Sequence, residues 1–432
     1  MAAVLIAILS LTVLGIPIAL ALDRAARGAL LLGTAFLYGS GAVFLILLVV
    51  PMKLVAVAVA GLLGCLVAWG FSRRATQQPS NPATPTRRHI IDLATLLPLT
   101  SYALYATIAP VWEWDFWAIW GLKARVFLEH GGIDWRFLEG RWNGFVHPDY
   151  PLLVPLNFDF IALIGGGWSD RWLGVLFVAY GVALLLVARA LAAREASPLV
   201  AALLTFVLSW IAASRYIGLA EGALIAFGGA GVLFVRHAML RDDAASWRHG
   251  AVLLGLAANC KNEGLALLTA VTIVMLLLRR RALVRLWPAY ALAAPWLILR
   301  AVHGLGSDIA GGHAAVRAMA RLRVAPQIFG ALAERLYHPW FWIAILAALV
   351  IIPSAARMRE RFVLLVTAIQ VVFFIAAYFG TPYDVRWHIG TSWPRLTEQI
   401  AVPITFVVFL ALADLVRRGE DARNAEARSE QQ

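Results

Sequence analysis

The chain alternates between long apolar runs and short polar turns from its first residue to about residue 416. A helix that crosses a bilayer needs roughly 17–25 mostly apolar residues. On that measure the sequence predicts helices at 2–22, 29–50, 52–71, 90–110, 171–190, 197–213, 217–236, 250–260, 264–279, 287–300, 339–353, 362–380 and 398–416. The expected fold class is therefore all-α, a polytopic membrane protein of about 13 transmembrane helices. The run at 250–260 is too short to cross alone. Residues Pro151–Ile164, followed by Gly165-Gly166-Gly167, read as a short interfacial or re-entrant helix. The first run, Met1 to Leu22, has no basic segment ahead of it and reads as a retained span rather than a cleaved signal.

The polar turns are not alike. Arg73-Arg74 with Arg87-Arg88, Arg279-Arg280-Arg281 with Arg285, Arg357-Arg359-Arg361, and Arg417-Arg418 form short basic turns. Assigning them to the cytoplasm by the positive-inside rule puts the N-terminus outside; the expected location is a cell inner (cytoplasmic) membrane. Three long loops, 111–170, 301–338 and 381–397, then fall on the outer side. The Ser/Pro-containing turn 75–86, within a linker 72–89, divides an N-terminal three-helix unit (1–71) from a main body (90–416). The tail Arg417–Gln432 is charged and aperiodic and is expected to be disordered.

Composition rules out a soluble fold: 61% of residues are hydrophobic, 14% are charged and the mean hydropathy is +0.78. The net charge of +12 lies mainly in the inter-helix turns, with no groove-reading motif, so no nucleic-acid partner is expected. Cys65 and Cys260 give neither a disulfide framework nor metal spacing.

Polar chemistry has few places to occur in such a chain. The richest is the interruption from Val111 to Tyr150, which gathers Glu113, Asp115, Lys123, His147 and Asp149 among six tryptophans. Further along, Arg215, Glu221, Lys261, Glu263, Arg386, His388 and Arg395 fall at the same predicted outer boundary. Ionisable groups at a membrane boundary are costly unless they pair or line a wet cavity, so a one-sided cluster marks a candidate site. Simpler roles exist for several members. Asp115 is placed to cap a helix over Phe116–Glu129 that ends at Gly131-Gly132, and Asp149 to cap the helix after Pro151. Lys123 is placed to snorkel toward headgroups, and Lys261 to end a helix hairpin. Trp112, Trp114, Trp117, Trp120, Trp135 and Trp142 suit interfacial anchoring as well as sugar stacking. His147 and Asp149 form a single HxD, which does not by itself define a metal site; a divalent metal is left open, without a ligand motif to indicate it, and no other cofactor is called for.

Four segments together resemble a known family. These are WDFWAIWGLKA followed by HPDYPLLVP, SRYIGLAEGAL, GLAANCKNEG and HIGTSWPRL. Their order is similar to that in the GT-C polyprenyl-phosphate-sugar transferases, which include protein O-mannosyltransferases and the lipid A aminoarabinose transferase. The resemblance spans roughly residues 90–416. This chain differs in having three helices ahead of the one entering the catalytic loop, and in the spaced Glu113-Trp-Asp115 where many members have an adjacent acidic pair. The resemblance implies a GT-C-like core with amphipathic interfacial helices in the first outer loop. It implies an enzyme that moves a sugar from a polyprenyl-phosphate-sugar donor to an extracytoplasmic hydroxyl acceptor. Asp115 would be the base, assisted by Glu113. Lys123, Lys261 and Arg395 would hold the lipid phosphate, with Arg386 in reserve. His147, Asp149, Glu221, Glu263 and His388 would complete the substrate site. Other classes fit the helices less well: a transporter places broken helices near the midplane, and a scaffold does not need ordered acidic and basic motifs. A lipid-linked polymerase or ligase remains the alternative within the enzyme class.

Overall fold

The computed structural model describes residues 1–74, 90–213, 217–307, 309, 313–336 and 338–429. The turn 75–86, Arg87, Arg88 and Arg215 lie outside them. The helices are α1 (Ala2–Leu22), α2 (Gly28–Leu47), α3 (Leu54–Arg74), α4 (Ile91–Ile108), α5 (Gly121–His130), α6 (Leu153–Gly165), α7 (Val175–Ala192), α8 (Pro198–Ala212) and α9 (Ala220–Arg241). They continue as α10 (Ala244–Ala257), α11 (Asn262–Arg279), α12 (Trp287–Val302), α13 (Ala314–Arg321), α14 (Ala325–Glu334), α15 (Pro339–Ile351), α16 (Ser354–Gly380) and α17 (Val385–Ser429). Among the described residues there are no strands.

Among the described residues, seven helices are long and apolar enough to cross a membrane: α1, α2, α4, α7, α9, α16 and the first 41 residues of α17. Four more apolar stretches are shorter, at Leu54–Ala68, Leu153–Gly165, Pro198–Ala212 and Pro339–Ile351. The chain is thus an all-helical, membrane-embedded protein. Leu9, Val13, Leu62, Leu63 and Leu66 stand exposed on α1 and α3, as apolar side chains facing lipid would.

The centre of the bundle is α9, whose spanning window is 89% buried. It packs on α7, α10 and α17, while α2 packs on α1, α6 and α7. Small residues set the closest approaches. A Cβ at Gly39 would fall 1.7 Å from the Leu11 carbonyl oxygen, so glycine there lets the α1 and α2 backbones touch. Deprived of a hydrophobic driving force in lipid, helices associate through this kind of close packing.

Three expectations change. The helix α6 is not an exposed amphipathic element: Leu153 to Ala162 are all buried, so protein surrounds its full circumference. The stretch 381–397 is not a loop beyond Asp384, because α17 begins at Val385 and continues unbroken through Pro394 and Pro403. Tyr378, Ile389, Trp393, Leu396 and Ile400 share an apolar cluster with Ile328 and Leu332 of α14, which gives this segment a buried face despite its mixed composition. The tail is also helical, to Ser429, with Asp414 paired to Arg417 at 2.7 Å and Arg418 at 2.7 Å.

Two of the basic turns, those carrying Arg279 with Arg285 and Arg359, meet at the C-terminal end of α9. Arg285 and Arg279 meet Asp242 at 2.9 and 3.7 Å, and the turn carrying Glu195 meets Arg236 and Arg359. At the opposite end, α13 and α14 cover α16. Arg317 Nε donates to the Gly380 carbonyl at 2.7 Å, and Arg321 donates to the carbonyls of Tyr378, Thr381 and Tyr383. These arginines satisfy the acceptors that the end of α16 leaves open.

Candidate functional site

At that second end, four distant parts of the sequence meet through charge. Asp115 precedes a π-helical turn, Phe116–Trp120, that leads into α5. Its side chain does not cap the helix; Oδ2 accepts from Arg395 Nη1 at 2.5 Å. Arg395, nearly three turns into α17, also lies 3.6 Å from Glu221 Oε1. Glu221 is in the first turn of α9 and is 0% exposed. The same Oε1 accepts from Lys261 Nζ at 2.9 Å, and Lys261 reaches Glu263 at 2.8 Å. The result is an unbroken line Asp115–Arg395–Glu221–Lys261–Glu263.

Local folding explains how Lys261 and Glu263 reach this line. A tight hairpin joins α10 to α11, and a Cβ at Gly264 would fall 1.9 Å from the Ala257 carbonyl oxygen. Only glycine permits that approach. Lys261 has extended backbone geometry ahead of α11 and its side chain makes no cap, so it points inward to the carboxylates. Burial disfavours its charge, but Glu221 and Glu263 outweigh burial and hold the ammonium above its ordinary pKa.

A second group adjoins the first through Tyr150. Lys123 is fully buried in α5 and does not snorkel; its Nζ donates to the His147 carbonyl at 2.6 Å. Burial pulls its pKa down to about 7, against the opposing pull of Asp149. Asp149 does not cap the next helix either: its Oδ2 accepts from Asn262 at 2.7 Å and lies 3.8 Å from Arg300. The Tyr150 ring has Lys123 Nζ 5.8 Å and Lys261 Nζ 6.0 Å from its centroid, and stacks on His147 and Trp120.

The remaining predicted residues sit elsewhere. Glu113 lines a small crevice with Tyr105, Trp112 and Ile217. His388 bonds Thr381 Oγ1 at 2.9 Å and packs against Tyr378 and Tyr383, where it supports the end of α16. Arg386 is exposed, about 13 Å of helix rise before Arg395. Trp112, Trp114, Trp117 and Trp142 are exposed, whereas Trp120 is buried. Sequence reasoning missed Tyr150, Asn262 and Arg300. The first two lie inside segments already singled out, HPDYP and CKNEG, where the neighbouring charges drew the attention.

Two carboxylate oxygens in the network, Glu221 Oε2 and Glu263 Oε2, are buried with no hydrogen-bond donor. Such atoms are costly in a folded protein unless a ligand or water supplies the donor. The line therefore offers both anchored cations and open acceptors. Among the described residues, no group of three or more His, Cys, Asp or Glu is arranged to hold a metal ion. Comparison with known proteins found no matching family model, curated protein or solved structure.

Proposed function

We propose that the protein is a membrane glycosyltransferase that moves a sugar from a polyprenyl-phosphate donor to an extracytoplasmic hydroxyl acceptor, with a GT-C-like core. The observation that carries this reading is the continuous line from Asp115 through Arg395, Glu221 and Lys261 to Glu263. It joins a carboxylate to cations and to unsatisfied acceptors in one continuous network.

Each part has a chemical use. Asp115, with 26% of its side chain exposed, is reachable by an incoming hydroxyl. The acceptor oxygen attacks the anomeric carbon as its proton passes to Asp115. The bond from that carbon to the phosphate oxygen breaks, and its electron pair leaves with the lipid phosphate. A single displacement of this kind inverts the anomeric centre. Arg395, Lys261 and Lys123 stabilise the leaving phosphate, the arginine through a planar fork and the lysines as point charges. The unsatisfied oxygens of Glu221 and Glu263 accept hydrogen bonds from sugar hydroxyls, with no proton transferred. Glu113 plays no part in this scheme.

The test is transfer from a radiolabelled polyprenyl-phosphate-sugar by the purified protein in lipid. Asp115→Asn should keep its fold and its donor binding and lose transfer by about 10²–10⁴-fold, the usual weight of a general base. Wild-type rates in that variant would remove Asp115 from the mechanism.

A further inference from the structure

The turn His147–Tyr150 is held more firmly than a connecting turn requires. His147 adopts the left-handed conformation, φ 48°, which is uncommon for a residue with a side chain. Its carbonyl accepts from both the Tyr150 amide at 2.9 Å and the buried Lys123 ammonium at 2.6 Å. The Asp149 carbonyl accepts from Trp296 Nε1 at 3.4 Å, and the Asp149 carboxylate is tied to Asn262. Three residues beyond the tyrosine, the Leu153 amide donates to the Asn259 carbonyl at 3.1 Å. Contacts from α5, the α10–α11 hairpin and α12 thus converge on four residues. Backbone strain persists only where the surroundings over-determine it, and it concentrates at functional sites.

What this turn positions is Tyr150. Its ring stacks on His147 with centroids 4.6 Å apart and on Trp120 at 5.5 Å, both near parallel. Two ammonium groups lie within 6.0 Å of the ring centroid. Arg395 adjoins this group through Glu221, whose Oε1 lies 3.6 Å from it and 2.9 Å from Lys261 Nζ. Two ammonium groups that would repel one another are therefore spaced around one aromatic side chain, whose electron-rich face attracts them.

We propose that Tyr150 is a ligand-contacting residue whose hydroxyl donates to a phosphate oxygen held among Lys123, Lys261 and Arg395. This rests on the lipid-phosphate reading of the site. The ring spaces the two ammonium groups, and the hydroxyl supplies a neutral, directional donor that the cations lack. A hydrogen bond from a phenol to an ionised oxygen is of the strong, charge-assisted type.

The experiment uses the full chain in phosphatidylcholine nanodiscs, with native mass spectrometry reading the bound lipid. Undecaprenyl phosphate is compared with undecaprenol, and inorganic phosphate is added as a competitor. Wild type should prefer the phosphate, and Tyr150→Phe should cut that preference about tenfold with an unchanged unfolding midpoint. If Tyr150→Phe keeps the full preference while Arg395→Gln loses it, the site reading stands and the role of Tyr150 falls. A wild type without any preference overturns both. Inorganic phosphate that displaces undecaprenyl phosphate from wild type, but not from Tyr150→Phe, supports the hydroxyl contact and identifies free phosphate as the ligand. The unaltered protein gives a second reading through nitration of Tyr150 by tetranitromethane. Protection by undecaprenyl phosphate and not by undecaprenol is expected, and equal nitration contradicts the proposal.

Discussion

The helix α9 carries a charge cluster at each end, and the two are built differently. Fifteen residues separate Glu221 from Arg236, about 22 Å of helix rise, comparable with much of a bilayer's hydrocarbon core. At the basic end, Arg236 donates to Glu360 at 2.5 and 2.6 Å and to Glu195 at 2.7 and 3.0 Å. His237 and Arg359 add contacts to Glu195 at 3.3 and 3.2 Å. Every buried polar atom of Arg236, Glu195 and Glu360 has a partner. This is a closed clamp that fixes the turn after α7, the end of α9 and the start of α16. At the other end the charges form an open line, with Glu221 Oε2 and Glu263 Oε2 lacking donors and Asp115 partly exposed. A saturated cluster has nothing left to offer a ligand. An unsaturated one of the same residue types does.

The contrast is sharpest in stability. Arg236→Gln would leave two buried carboxylates poorly compensated, at a cost of about 3–5 kcal/mol. Chemical denaturation in detergent should show it as a large loss, while whatever folded protein remains still binds lipid phosphate. A small loss with abolished binding would mean that the two ends have the opposite roles. At the open end, Arg395→Gln should reverse the pattern. Binding of undecaprenyl phosphate should fall at least tenfold, and unfolding should shift far less than in Arg236→Gln. Equal destabilisation in the two variants would erase the distinction between clamp and site.

Protonation gives a finer comparison. Burial depresses the Lys123 pKa to about 7, so the folded protein prefers its neutral form more than the unfolded chain does. Stability from this group is therefore greatest above the ordinary lysine pKa and declines as pH falls from there toward 7. Ligand binding has the opposite sign, because a phosphate prefers the protonated amine. Affinity for undecaprenyl phosphate should be highest below pH 7 and decrease as pH rises through it. Calorimetry should record proton uptake on binding near pH 7.5, and Lys123→Met should abolish that uptake. The smallest effect is expected at the exposed pairs of Asp414 with Arg417 and Arg418, where Asp414→Ala should leave both binding and the unfolding midpoint unchanged within error.

Much of this arrangement is visible in the order of residues, and the reason is physical. Asp115, Glu221, Lys261 and Arg395 stand out because each sits at the edge of an apolar run, where an ionisable group is expensive. Hydropathy locates the helices for the same reason. The pairing of these charges is not visible, since it depends on α17 returning beside α9 after more than 150 residues. The first turns of α17 read as a loop because Trp387, His388, Pro394 and Arg395 break the apolar pattern, although tertiary packing keeps them helical. The closed clamp is equally hidden. Glu195, Arg236 and Glu360 look like ordinary turn charges until the fold brings them within hydrogen-bond reach. Tyr150 escapes notice because a tyrosine before proline resembles any turn.

The most direct test is a structure of the full chain in lipid with undecaprenyl phosphate added. The phosphate is expected beside Arg395, Lys261 and Lys123, with Asp115 facing the position a sugar would take. Phosphate bound only at the Arg236 end, or lipid bound away from both clusters, would contradict it.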